Sequence, residues 1–148
     1  MYVKIIYRTN SLWNILYSID PEFKTSAYTI APVIFMPEWC KVNPEGVREK
    51  ALLIHEETHV QQSNNMGFLG LPLFWIYWLF FTSKRKELEM AAYKEQLKYI
   101  YSKEGNIDAN SWADMITTIY APFTFIGKNE CVGMINGWIE EFKKEVVK

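Results

Sequence analysis

The chain is short of the features that would tie it to nucleic acid, to secretion or to a repeat architecture. Two of its 148 residues are cysteine, Cys40 and Cys131. Thiols so far apart make neither a disulfide framework nor a close pair of zinc ligands. They read as free, buried thiols in a reducing compartment. The formal net charge is −1, with 16 Lys and Arg against 17 Asp and Glu. There is no Arg-rich stripe and no acidic tail, so nucleic acid is not an expected partner. The N-terminal stretch, MYVKIIYRTNSLWN, lacks the long apolar run of a signal peptide, and the expected location is cytoplasmic or particle-associated. No repeat, low-complexity linker or compositional break divides the chain, which reads as one domain over residues 1–148. Histidine is as scarce as cysteine, with two residues.

Aromatic residues, in contrast, are abundant. They make up 16% of the chain, as six Trp, nine Tyr and nine Phe, which implies a core or cleft lined by rings. The pattern predicts a short strand at 2–7, a short helix at 11–19 ended by Asp20-Pro21, and an extended segment at 27–36. Pro32 makes that segment an edge strand or breaks it. A strong helix is expected over 43–63, capped by Asn43 with Pro44 in the first helical position. The run MGFLGLPLFWIYWLFFT follows at 66–82. A helix from SKRKELEM to Gly105, another starting near Asp108 or Asn110, and a last amphipathic helix capped by Asn129 complete the chain. The fold class is α+β and mostly helical, with a small N-terminal β element and four to five helices.

Both histidines lie in one short stretch, LLIHEETHVQQS, as His55 and His59. Positions i and i+4 of a helix are about 40° apart around the axis and one turn apart in height. Two imidazoles can then reach one tetrahedral ion. Glu56, about 100° further round, is badly placed to share that role but well placed to take a proton from water held there. This is the H-E-x-x-H pattern of zinc metallopeptidases. A third protein ligand is needed, and no third histidine exists, which excludes the metzincin arrangement. An acidic residue of the helix KELEMAAYKEQ remains. Glu89 shares a face with Tyr93 and has the small Ala92 nearby, so it is preferred. Glu87, beside the charged SKRK run, is the fallback, and Glu95 comes third.

HEETHVQQ followed some thirty residues later by ELEMAAY resembles the gluzincin class of zinc metallopeptidases, in particular its small single-domain members in bacterial and bacteriophage proteins. The resemblance spans roughly residues 27–140 and implies a zincin-like fold. It implies Zn2+ as cofactor, His55, His59 and Glu89 as ligands, Glu56 as general base, and a peptide or protein substrate pairing with the segment 27–36. Larger gluzincins add a His or Tyr for the oxyanion; here Tyr120 is the candidate, with Tyr93 beside it. The alternative is a zinc-binding structural or interaction protein without turnover, part of a larger particle. The apolar run 66–82 sits between the expected ligands. Spanning a bilayer there would separate His59 from Glu89, so the run is expected to turn back at Gly67, Gly70 and Pro72, as a buried connector or a contact with a membrane surface or protein partner.

Overall fold

The computed structural model describes residues 3–8, 26–119 and 126–146. Strands β1 (Lys4–Tyr7), β2 (Tyr28–Ile30) and β3 (Val33–Met36) precede five helices among the described residues: α1 (Val47–Asn65), α2 (Gly70–Phe80), α3 (Thr82–Glu104), α4 (Ala109–Ile119) and α5 (Lys128–Val146). The fold is a mostly helical α+β one, as the patterning implies. The short helix expected at 11–19 and Tyr120 lie outside the described residues. The chain divides into two compact units, 1–74 and 75–148.

In the first unit, the strands form a sheet of order β1-β3-β2. β1 runs parallel to β3, and β2 antiparallel to it. The expected extended segment 27–36 is therefore a hairpin. Pro32 falls in its turn, where the missing N–H breaks no ladder, and the residues after it form the central strand. Ile34, Met36 and Cys40 pack with Val60 of α1, flanked by Leu52 and Leu53. That contact fixes which face of α1 looks at the sheet.

Helix α1 begins at Val47, later than Asn43 and Pro44 predict. Residues 43–46 instead close a turn, in which Gly46 N–H donates to Asn43 C=O at 2.9 Å. Gly46 is then extended, with ψ 151°, and serves as N-cap. Glu49, at the third helical position, folds its carboxylate back over Gly46 into the space a Cβ would take. An acidic group there also suits the positive end of the helix.

After α1 the chain reverses. Gly67 takes φ 80°, the left-handed region that glycine enters without steric cost. Gly70 then starts α2 so close to α1 that a Cβ would stand 1.8 Å from the Ser63 carbonyl oxygen. These are two of the three residues at which the turn is expected. No helix among the described residues is long and apolar enough to cross a membrane.

In the second unit, α3, α4 and α5 pack around Leu97, Ile100, Ala113, Ile116, Cys131, Ile135, Trp138 and Phe142, all buried. Lysines 86, 94 and 98 of α3 pair in order with Glu130, Glu141 and Glu145 of α5. The rising order on both helices means that they run in the same direction. α3 ends at Gly105, whose φ of 71° makes the left-handed cap. Asp108 caps α4: its Oδ1 accepts from the backbone N–H of Asn110 at 3.0 Å and of Ser111 at 3.3 Å. α5 starts at Lys128, so Asn129 lies inside it and is not its cap.

Candidate metal centre

Helix α1 buries six side chains: Ala51, His55, Glu56, His59, Val60 and Ser63. Four of the six are polar, and burying polar groups without partners is costly. Each of the three in the motif has a specific environment.

The imidazoles of His55 and His59 converge edge to face, with ring centroids 4.8 Å apart and planes at 84°. Their Nε2 atoms are 3.2 Å apart. Nitrogens held at roughly 2.0–2.1 Å by one tetrahedral ion would stand about 3.3–3.4 Å apart. The pair is thus spaced for an ion. His59 Nδ1 lies 2.9 Å from the Gln62 side-chain oxygen. An amide oxygen only accepts, so Nδ1 carries the proton and Nε2 presents its lone pair. Phe74 of α2 lies against the His59 ring at 5.5 Å between centroids, and is itself buried. The apolar run therefore covers His59 through Phe74.

Glu56 is 5% exposed. Its Oε2 accepts a hydrogen bond of 2.7 Å from Thr29 Oγ1, on strand β2. It points toward the sheet, away from a share in the histidine pair's role as ligands.

On α3 the two candidate carboxylates differ sharply. Glu89 is 2% exposed, and its Oε1 accepts from the Trp78 indole N–H. Glu87 is exposed and pairs with Lys84 at 2.7 Å, an arrangement worth little. Arg85, within the charged SKRK run, is buried. Its guanidinium donates to the carbonyls of Trp78 and Leu79, the latter at 2.9 Å, closing the C-terminal end of α2. Tyr93, one turn beyond Glu89, is buried as well.

His55 and His59 in the first unit and Glu89 in the second are all buried, and each is of a type that can hold a metal ion. Imidazole and carboxylate are donor types that divalent metal ions accept. Thr29, Gln62 and Trp78 are the partners that sequence reading missed. Gln62 was within reach of it, because i+3 on a helix is a contact distance. Thr29 and Trp78 come from other elements, and no spacing rule links them to the residues they hold.

No family model matches the chain, and no match is found among curated proteins or among solved structures.

Proposed function

We propose that this chain is a zinc-dependent peptide hydrolase of the gluzincin type, in which His55, His59 and Glu89 hold the ion and Glu56 is the general base. The observation that carries the reading is the 3.2 Å approach of two buried Nε2 atoms, close to the spacing one tetrahedral ion imposes. The adjacent buried Glu56 supports the hydrolytic part, because a carboxylate is an effective proton acceptor where it does not serve as a ligand.

When bound, the ion supplies Lewis acidity that makes water a stronger acid and a carbonyl more electrophilic. The chain's own residues do the rest. Gln62 fixes the His59 tautomer so that Nε2 faces the ion. The Trp78 indole orients the Glu89 carboxylate by occupying Oε1. Phe74 keeps bulk water from the His59 ring. Glu56 takes a proton from the attacking water and delivers it to the leaving amine. Tyr93 and Tyr120 remain the candidates for steadying the oxyanion.

A second reading, a metal-binding protein without turnover that docks on a partner or a bilayer, draws on a different observation. Pro72, Ile76, Leu79 and Phe80 of α2 follow the i, i+4, i+7, i+8 spacing and are exposed, Phe80 to 76%. An apolar stripe facing outward is an interaction surface by composition.

One experiment separates the two. Wild type, Glu56→Gln, His55→Ala, Glu89→Gln and Glu87→Gln are compared for zinc content and for cleavage of a mixed peptide library read by mass spectrometry. On the hydrolase reading, Glu56→Gln keeps its zinc and loses at least ~10²-fold in cleavage rate. His55→Ala and Glu89→Gln lose zinc, and Glu87→Gln behaves as wild type. A wild type that binds zinc, cleaves nothing and floats with lipid vesicles in high salt would replace the first reading by the second.

A further inference from the structure

We infer that Thr29 is the positioning residue for Glu56, an inference that rests on the hydrolytic reading above. Thr29 is on β2, opposite Ile34 of β3 in the register of the sheet. Ile34 is fully buried in the cluster that contains Val60 of α1, so Thr29 faces the same apolar layer and is 7% exposed. Valine has nearly the same shape as threonine and a higher affinity for such a place. A hydroxyl there must therefore be explained by what it bonds.

The hydroxyl has one proton to give and two oxygens of Glu56 within range. The side-chain Oε2 is at 2.7 Å and the backbone carbonyl at 3.3 Å. The shorter contact, to the group that bears charge, takes the proton. Oε2 is then occupied, and Oε1 is the atom left to exchange a proton with water. The bond also crosses 27 residues of sequence, so it ties the carboxylate's rotamer to the sheet. β-Branching stiffens the threonine side chain at χ1, which makes the anchor rigid. Glu56, next to a proposed ligand on the same helix, would otherwise be free to swing between serving as base and crowding the ion.

The test needs no known substrate. Acetohydroxamic acid binds an ion through its two oxygens and shares a proton with a neighbouring carboxylate, so its affinity reports whether Glu56 is in place. Zinc-loaded wild type, Thr29→Val, Thr29→Ser and Glu56→Gln are titrated with it by calorimetry, with zinc content and circular dichroism as controls. Expected is full zinc uptake and native helicity in all four, affinity about tenfold or more weaker in Thr29→Val and Glu56→Gln, and recovery in Thr29→Ser. If Thr29→Val does not fold, Thr29→Ala carries the same comparison. Wild-type affinity in a folded Thr29→Val or Thr29→Ala, with Glu56→Gln weakened, overturns the role of Thr29 and leaves the hydrolytic reading standing. Weak binding by a folded Thr29→Ser overturns it too, because packing and not the hydroxyl would then matter. A wild type that takes up no zinc, or no hydroxamate, overturns the hydrolytic reading, and the inference falls with it.

Discussion

Helices α1 and α5 are the same length, 19 residues each, and each buries one face, yet they spend those positions on opposite chemistry. α5 buries Cys131, Ile135, Trp138 and Phe142, at i, i+4, i+7 and i+11. α1 buries Ala51, His55, His59 and Val60 along a comparable stripe, with Glu56 and Ser63 beside it. In α5 the inward face is the source of stability, since apolar burial is the main favourable term in folding. In α1 the inward face carries groups that cost free energy to desolvate and that need dedicated partners. Thr29 and Gln62 supply them. The contrast is why the proposed site is placed on α1: burying imidazoles and a carboxylate is costly, and α5 buries neither.

The contrast can be broken most forcefully on the α5 side. Ile135 is fully buried, and Ile135→Ala should cost about 2–5 kcal/mol by removing packed methyl groups and leaving a cavity. Zinc stoichiometry should survive in the fraction that stays folded. Chemical denaturation with and without zinc would measure both, and loss of zinc binding in the folded variant would mean that the two helices are not separate in function.

A smaller effect is expected on the α1 side from Gln62→Ala. It leaves both imidazoles in place but frees the His59 tautomer. Loss of such a partner usually lowers metal affinity by about 10–100-fold. Competition with a chromophoric chelator would measure the change, and an unchanged affinity would deny Gln62 its part.

The smallest effect should come from the cap of α4. The Ser111 hydroxyl, followed by its backbone N–H, holds the Asp108 carboxyl below its ordinary value of 3.8. A depressed carboxylate pKa contributes stability that is present above the unfolded value and lost as pH falls through the folded one. Asp108→Ala should therefore lower the melting temperature slightly at neutral pH, and the gap to wild type should narrow below pH 3.8. A gap independent of pH would show that the charge of the cap is irrelevant. Neither cysteine should confuse these assays: burial, and next Glu49, push the Cys40 thiol up to about 12, and burial raises Cys131 as well.

Much of this was legible from residue order, and the limits of that legibility have physical causes. Helical spacing brought His55 and His59 to one face, because i and i+4 are neighbours on any α-helix. Small Ala92 and the position of Tyr93 favoured Glu89 over Glu87; in the structure Glu89 is buried and Glu87 is exposed. The turn after α1 was signalled by glycines, whose conformational freedom is local. The start of α1 was missed because Asn43-Pro44 is an equally good signal for a turn. Nothing in the order of residues signals the role of Arg85, because its neighbours in sequence are lysines and its partners are the last carbonyls of α2.

The sequence by itself determined the donor types, their order along the chain and the faces they share on α1 and α3, since all of these follow from helix periodicity. Only the tertiary structure decided how each of these side chains is held. That Thr29 holds Glu56, that Trp78 holds Glu89 and that Phe74 covers His59 depend on elements meeting in space. Such meetings are set by the packing of the sheet and of α2. Packing is a property of whole surfaces, which no spacing between residues encodes.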